Sequence, residues 1–208
     1  MSSRGLLERT DRNAWRDIRS PLTVEDLRDM LVAPSHGRIA FPSKPYDEVY
    51  PGIYIGDGAT ALSLTVLRSL KVTHVLNAAH GRDNATYAGC YVRTRASFYS
   101  AAGMIFLGVP AVDTRECNIC VHFEEAADFI AAALEQNGKV LVHCVQGLSR
   151  SATLVIAYLM IKLHMPLSQA LQTVRARREI FPNDGFLQQL IRLNDQLMGS
   201  RRVNVSWL

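Results

Sequence analysis

The sequence predicts an α/β fold in which helices flank a central, mostly parallel sheet of about five strands. Short runs rich in β-branched residues alternate along the chain with longer segments whose apolar residues recur at helical spacing. Within residues 139–160, one such run passes directly into a buried helical pattern. When a helix connects two strands of one sheet, it returns the chain to the end of the sheet where the first strand began. The second strand therefore runs parallel to the first.

The elements follow one another in order from a helix that starts near residue 23. Thr23, with Asp26 three residues on, is typical of a capping box, and Pro34 ends this first helix. Residues 33–52 hold four prolines and two glycines, which predicts an irregular connector, and residues 80–103 are the least regular segment. The remaining strands are predicted at 53–55, 73–76, 105–109 and 139–143, and the remaining helices at 62–70, 121–136, 151–160, 166–178 and 184–198.

Length and composition indicate a single globular domain. Of the 208 residues, 48% are hydrophobic and 20% are charged, as in ordinary soluble proteins. Residues 1–19 are polar and charged without a sustained period, which predicts a flexible N-terminal arm. The predicted domain covers residues 20–200, and residues 201–208 are predicted to form a C-terminal tail.

Charge, hydropathy and cysteine content predict a soluble intracellular protein, in the cytoplasm, the nucleus or both. The net charge is only +4 and the basic residues are scattered, so neither favours nucleic acid as a partner. Charged residues interrupt the N-terminal segment, and no apolar run is long enough to cross a bilayer, which argues against a membrane partner. The four cysteines do not form a disulfide framework for a chain of this size.

The loop between the predicted strand at 139–143 and the next helix carries the residues with reactive chemistry. Cys144 opens this loop, Gly147 lies within it and Arg150 closes it. The backbone N–H groups of such a loop, with a helix N-terminus behind them, bind anions and lower the pKa of a thiol from about 8.5 to roughly 3.5–7.5. A lone buried cysteine is usually inert, but the guanidinium of Arg150 matches two phosphoryl oxygens. The combination indicates phosphoryl transfer to sulfur.

The order of residues in this loop also matches a known signature. His143-Cys144, five residues and Arg150-Ser151 match the protein tyrosine phosphatase pattern HCxxxxxR[ST]. Over roughly residues 20–198 the chain resembles the small VHR-type atypical dual-specificity phosphatases, in strings that include THVLNAA at 73–79, SRSATLVIAYLM at 149–160 and REIFPNDGFL at 178–187. The resemblance implies a protein tyrosine phosphatase-like fold. It also implies hydrolysis of phosphotyrosine and of phosphoserine or phosphothreonine in proteins, with MAP kinases as candidate substrates and with no metal or cofactor.

The resemblance implies a role for each residue of the loop. Cys144 is the nucleophile that forms a cysteinyl-phosphate, and Ser151 donates a hydrogen bond to the departing thiolate. His143 supports the cysteine and the loop rather than acting as the base. The implied phosphate-binding residues, which act through backbone N–H groups and the arginine side chain, are Val145, Gln146, Gly147, Leu148, Ser149 and Arg150.

Two further residues outside the loop are implicated. Expulsion of an alkoxide or phenoxide requires a general acid, and from the residues alone Asp113, Glu116 and Glu124 are all candidates. The resemblance selects Asp113, which then activates the water that hydrolyses the cysteinyl-phosphate. The resemblance also implies that Arg178 helps to bind a second phosphate of the substrate, although a solvated arginine at a helix end is an equally good interpretation.

Alternative functions and sites are weaker. A catalytically silent phosphoprotein-binding protein would be expected to lack the cysteine, the arginine or the acid, and all three are present. An arsenate reductase would carry the motif elsewhere in the chain, and the uncharged Val145, Gln146 and Leu148 argue against inositol phosphates. Cys117 and Cys120 form a single CxxC pair without a second pair, which favours packing over a zinc or redox site.

Overall fold

The structure is a computed structural model that describes residues 22–81 and 89–205. The predicted N-terminal arm at 1–19, residues 82–88 of the irregular segment and the last three residues of the predicted tail lie outside the described residues. The described part forms an α/β fold with a sheet flanked by helices, so the predicted fold class is confirmed.

The sheet has five strands within the described residues, in the order β1-β2-β5-β3-β4. Three parallel pairings join β2 to β5, β5 to β3 and β3 to β4, while β1 and β2 form an antiparallel hairpin at one edge. The strands are β1 (Tyr46–Tyr50), β2 (Ile53–Gly56), β3 (His74–Asn77), β4 (Ile105–Gly108) and β5 (Val140–His143).

The prediction of an irregular connector over residues 33–52 is wrong for residues 46–50, which form strand β1. Pro45 directly precedes the strand, and Pro51 and Gly52 form the turn into β2, while the other prolines and the other glycine lie earlier in the segment. An edge strand tolerates such neighbours because only one side of its backbone enters the hydrogen-bonded ladder.

The helices follow the predicted order with two differences. The predicted helix at 62–70 corresponds to α3 (Leu64–Ser69), which Ser63 caps, and a separate short helix, α2 (Gly58–Leu62), which Asp57 caps, precedes it. A further short helix, α4, lies in the segment predicted to be least regular. The helices are α1 (Val24–Val32), α2 (Gly58–Leu62), α3 (Leu64–Ser69), α4 (Ala96–Ser100), α5 (Phe123–Glu135), α6 (Arg150–Ile161), α7 (Leu167–Arg175) and α8 (Asp184–Val205), the last of which continues into residues 201–205 of the predicted tail.

The sheet separates two hydrophobic clusters, because successive strand residues point to opposite faces. Val75 and Leu141 belong to the smaller cluster, which includes residues of α2, α3 and α4. Val140 and Val142 belong to the larger cluster, which includes α5 and α6. Helix α6 is buried along almost its whole length and contacts α5, α7 and α8, so it is the centre of the helical layer.

The carboxyl ends of the parallel strands lie at one edge of the sheet. In the strand register, His143 at the end of β5 is opposite Gly56 of β2 and Asn77 of β3, and Asn77 is opposite Gly108 of β4. Residues 144–149, the signature loop, follow β5, and residues 109–118, the Asp113 loop, follow β4. The two loops that carry the predicted site residues therefore leave the sheet at the same edge.

Candidate active site

Cys144 is the first residue of the signature loop and is only 2% exposed. The backbone N–H of Gly147 donates to its Sγ at 3.2 Å, and the hydroxyl of Ser151 donates to the same sulfur at 3.4 Å. The loop therefore surrounds the sulfur with hydrogen-bond donors, as expected for a site that stabilises a thiolate.

The pKa of the Cys144 thiol results from opposing effects. Burial alone raises the pKa, because a thiolate loses solvation away from water. The positive charge of Arg150, hydrogen bonds from the side chain and backbone of Ser151 and the backbone N–H of Leu148 all lower it. The lowering effects prevail, so the pKa lies below its ordinary value and the thiolate is more accessible near neutral pH than in a free cysteine.

Gly147 is required by the shape of the signature loop. Its φ is +65°, in the left-handed region that side chains disfavour. A Cβ at this position would lie 2.6 Å from the carbonyl oxygen of Gly56 and 2.8 Å from Nη2 of Arg178. Glycine thus permits both the turn of the backbone and its close approach to β2.

Arg150 is 3% exposed and is held by carbonyl groups from two other segments. Its Nη1 donates to the carbonyl oxygen of Cys90 at 2.6 Å and to that of Ala111 at 3.0 Å. Its Nε lies 3.4 Å from Oδ2 of Asp113 and, among the described residues, has no hydrogen-bond partner. The guanidinium is therefore fixed by two carbonyl groups, with its Nε directed at the Asp113 carboxylate.

Asp113 is fixed by contacts with the signature loop and with the start of α8. Its Oδ1 accepts from the hydroxyl of Ser149 and from Nδ2 of Asn183, both at 2.8 Å. Nδ2 of Asn183 also lies 3.3 Å from the carbonyl oxygen of Thr114, and the backbone N–H of Asn183 donates to Ser149 Oγ at 3.3 Å. The carboxylate, whose side chain is 31% exposed, thus faces Arg150 from the solvent side of the site.

The other two carboxylates that the residues alone left open, Glu116 and Glu124, are exposed. The contacts with Arg150, Ser149 and Asn183 belong to Asp113. The geometry therefore favours the same carboxylate as the family resemblance.

The start of α8 holds the Asp113 loop through three neighbouring positions. Next to Asn183, Asp184 forms ion pairs of 2.6 Å with Arg115 of this loop and with Arg28 of α1. A Cβ on Gly185 would lie 2.0 Å from the carbonyl oxygen of Arg115, so only glycine allows this approach of the two backbones. The loop is thereby joined to two helices.

His143 is completely buried beneath the signature loop, and burial lowers its pKa to about 4. Its Nδ1 lies 3.3 Å from the carbonyl oxygen of Cys144. Because a carbonyl oxygen only accepts, this contact requires the hydrogen on Nδ1. A neutral ring in this position supports the loop, in line with the role that the resemblance implies.

Arg178 is buried. A residue that binds a second phosphate of the substrate would have to be exposed, so this position differs from the one that the implied role requires. Its side chain is 1% exposed. Nε donates to the carbonyl oxygen of Gly147 at 2.8 Å, and Nη2 donates to that of Gln146 at 3.2 Å. Nη1 contacts Asp47 Oδ2 at 2.7 Å and the carbonyl oxygen of Lys44 at 3.1 Å. All three nitrogens are thus engaged with the protein.

Two contributions to the site could not be identified from the sequence. Asn183 contacts Asp113 across the fold although the two residues are 70 positions apart in the chain. Cys90 contributes its backbone carbonyl, so the least regular segment does contact the site. Asn77 holds that segment in place by donating to the carbonyl oxygen of Val92 at 2.8 Å and to Thr94 Oγ1 at 2.9 Å.

The CxxC pair lies in the Asp113 loop and at the turn that follows it. Cys117 is half-buried and Cys120 is exposed. The side chain of Gln189 accepts from the Cys120 N–H at 2.8 Å and donates to the Cys117 carbonyl at 2.9 Å. Within residues 22–81 and 89–205, no group of three or more histidine, cysteine or acidic side chains could hold a metal ion. In the same part of the chain, no helix is long and apolar enough to cross a membrane.

The fold and this arrangement of thiol, arginine and carboxylate are those of the cysteine-dependent phosphatases. The sequence profile of the dual specificity phosphatase catalytic domain matches residues 53–196. Human dual specificity protein phosphatase 26 is 47% identical over 152 residues, which are 73% of this chain and 68% of that protein. The chain belongs to the dual specificity phosphatase family and is a protein phosphatase.

Solved structures agree with this assignment. Human DUSP28 superposes with a TM-score of 0.64 at 27% identity, covering 76% of this chain and 99% of that one. The human tyrosine phosphatase-like serine/threonine/tyrosine-interacting protein superposes with a TM-score of 0.63 at 30% identity, covering 74% and 97%. The similarity thus extends to solved structures whose chains are covered almost completely.

Proposed function

We propose that the protein hydrolyses phosphotyrosine and phosphoserine or phosphothreonine in proteins through a cysteinyl-phosphate on Cys144. The observation that supports this most strongly is the position of a buried thiol whose sulfur accepts from the Gly147 N–H and the Ser151 hydroxyl, contacts that, with the charge of Arg150, lower its pKa. A structural cysteine in an apolar interior would instead have a raised pKa.

In the first step, the Cys144 thiolate attacks phosphorus in line with the leaving oxygen. A sulfur–phosphorus bond forms as the phosphorus–oxygen ester bond breaks. Arg150 and the backbone N–H groups of residues 145–150 hold the three equatorial oxygens, where negative charge is spread in the transition state. In the second step, water attacks the cysteinyl-phosphate, and Ser151 stabilises the departing thiolate through its hydrogen bond to Sγ.

Asp113 supplies the proton that the leaving oxygen requires. Its Oδ1 already accepts from Ser149 and Asn183, so the transferable proton belongs on Oδ2, the oxygen nearer Arg150. After the first step, the ionised carboxylate takes a proton from the attacking water. The same residue thus acts first as general acid and then as general base.

The composition of the signature loop supports phosphorylated proteins as the substrate class. Val145, Gln146 and Leu148 carry no charge, so the loop offers no cation beyond Arg150 to bind further phosphates of an inositol ring. Phosphorylated side chains of proteins fit this arrangement, and MAP kinases are the candidate substrates that the family resemblance suggests.

The test of this function is hydrolysis by the purified chain in the presence of a metal chelator. We expect turnover of p-nitrophenyl phosphate and of peptides that carry phosphotyrosine or phosphothreonine, and dephosphorylation of a doubly phosphorylated MAP kinase. Loss of turnover on addition of the chelator would contradict the mechanism. Hydrolysis of phosphotyrosine peptides alone would contradict dual specificity.

A second function is a phosphoprotein-binding protein without catalysis. The related human structure of a tyrosine phosphatase-like interacting protein makes this the alternative to test. Stable binding of phosphopeptides by the unmodified chain, without release of phosphate over hours, would favour it. The presence of Cys144, Arg150 and Asp113 together favours turnover.

Replacing Asn183 by serine should weaken the action of Asp113 without disturbing α8. Serine retains the helix cap that Asn183 Oδ1 provides to the N–H of Phe186, but it lacks the donors that contact Asp113. We expect kcat for phosphotyrosine peptides to fall about tenfold, because a hydrogen bond to a charged group contributes about 1.5 kcal/mol or more.

The measurement is steady-state kinetics at several pH values, with thermal unfolding as the check on folding. The change should appear in kcat, with KM little altered. The matched control is Asn118→Ala, which removes an exposed asparagine from the same loop and should retain wild-type kinetics. An unchanged kcat in Asn183→Ser would show that Asp113 does not depend on this contact.

A further inference from the structure

Arg178 contacts the outer face of the signature loop, on the side away from Cys144. It is among the largest fully buried side chains of the described residues. Its Nε and Nη2 donate to two consecutive carbonyl groups, those of Gly147 and Gln146. Few other side chains could do this, because only the planar fork of a guanidinium presents several donors in one plane at fixed spacing.

The direction of these carbonyl groups determines the direction of the N–H groups that follow them. In a trans peptide the carbonyl oxygen and the next N–H point to opposite sides of the chain. The carbonyl of Gln146 points to Arg178, and the N–H of Gly147 lies 3.2 Å from Sγ of Cys144. The carbonyl of Gly147 also points to Arg178, and the N–H of Leu148 contributes to lowering the pKa of Cys144.

The guanidinium is itself held in place by the edge hairpin. Nη1 forms a 2.7 Å ion pair with Asp47 of β1, and it donates to the carbonyl oxygen of Lys44 just before that strand. A buried guanidinium needs such a partner, since an uncompensated charge in the interior is strongly destabilising. Strand β1, which is far along the chain from the signature loop, is thereby connected to its backbone.

From these contacts we infer that Arg178 is a positioning residue, which turns the N–H groups of Gly147 and Leu148 toward the Cys144 sulfur and the phosphate that it attacks. This replaces the expected role of Arg178 as a ligand of a second substrate phosphate. The inference concerns the same site as the proposed function and rests on it for the role of the phosphate. The orientation of the N–H groups toward the sulfur can be tested without any turnover.

The test is the rate at which iodoacetamide alkylates Cys144 as a function of pH, read by peptide mass spectrometry so that the other three cysteines are separated. Arg178→Lys retains a positive charge but loses the planar fork. We expect its alkylation midpoint to rise by about one pH unit, which makes alkylation about tenfold slower at any pH below the midpoint. The adjacent, exposed Arg177→Lys is the matched control and should retain the wild-type midpoint.

A second variant keeps the test decisive if Arg178→Lys does not fold, as judged by circular dichroism. Asp47→Asn preserves the size of the side chain and weakens only the anchor of the guanidinium, so a smaller shift in the same direction is expected. A wild-type midpoint in every folded variant would overturn the inference. So would a loss of kcat/KM confined to doubly phosphorylated peptides, since that pattern belongs to substrate contact.

The outcomes separate this inference from the proposed function. A raised midpoint in Arg178→Lys supports the positioning role even if the wild-type chain releases no phosphate from any substrate. Turnover by the wild type together with an unshifted midpoint supports the proposed function and rejects the positioning role. The two proposals therefore fail independently.

Discussion

Replacing Cys144 by serine is expected to abolish hydrolysis, with kcat for p-nitrophenyl phosphate reduced by about 10⁴-fold or more. A serine hydroxyl stays protonated at neutral pH even beside Arg150, and in the first step Asp113 must carry the proton for the leaving oxygen, so it cannot also deprotonate the serine. His143, the nearest imidazole, has a pKa of about 4, is buried and carries its hydrogen on the nitrogen that contacts the Cys144 carbonyl. The donors around the sulfur remain, so the variant should still bind phosphate.

The measurement combines steady-state turnover with rapid acid quenching of a radiolabelled phosphopeptide. The wild type should yield labelled protein whose phosphate is carried on the peptide that contains Cys144, and Cys144→Ser should yield none. Cys120→Ser is the control, because this exposed thiol lies outside the signature loop, and it should retain wild-type turnover. Label on another residue, or appreciable turnover in Cys144→Ser, would refute the cysteinyl-phosphate route.

Replacing Asp113 by asparagine has the next largest expected effect, a fall in kcat of about 10²-fold for phosphotyrosine and phosphothreonine peptides. Asparagine preserves the acceptor for Ser149 but cannot transfer a proton to the leaving oxygen. The loss should be smaller for p-nitrophenyl phosphate, because a stable leaving group needs less protonation. The measurement is steady-state kinetics with substrates whose leaving groups differ in basicity, and the loss in Asp113→Asn should grow as the leaving group becomes more basic.

Glu116→Gln provides the matched control for Asp113→Asn, since it removes an exposed carboxyl group from the same loop. Its kinetics should match those of the wild type. If Glu116→Gln lost activity and Asp113→Asn did not, the general acid would have to be reassigned. If neither lost activity, water or the substrate itself would have to protonate the leaving oxygen.

The sequence predicted those parts of the fold that depend on local pattern. The four parallel strands are short β-branched runs, and the buried helix after Cys144 repeats its apolar residues at the expected spacing. Strand β1 was not predicted, because the surrounding prolines and glycines indicated irregular structure and its pairing with β2 is not visible in the sequence of the segment. Helix α4 is a single turn or so, too short for periodicity to identify.

The contacts around the candidate site depend on residues that are distant in the chain. Asn183 and Asp113 are 70 positions apart, and no local sequence pattern connects them. Arg178 lies 131 positions from its partner Asp47 and 31 from Gly147. The local sequence, in which the exposed Arg177 is its neighbour, therefore gives no sign that the side chain of Arg178 is buried. The contact of Asn183 depends on how the start of α8 packs against the Asp113 loop. The contacts of Arg178 depend on how β1 packs beside the signature loop.

The attachment of the Asp113 loop to the start of α8 also has an entropic consequence. Ordering a free segment costs about 1–2 kcal/mol per residue in lost backbone freedom. Here Asn183, Asp184 and Gly185 order the Asp113 loop when the chain folds. The entropy loss therefore opposes folding and does not weaken substrate binding. Even a small phosphate ester, which offers little contact energy, should therefore meet an Asp113 carboxyl group that is already in position.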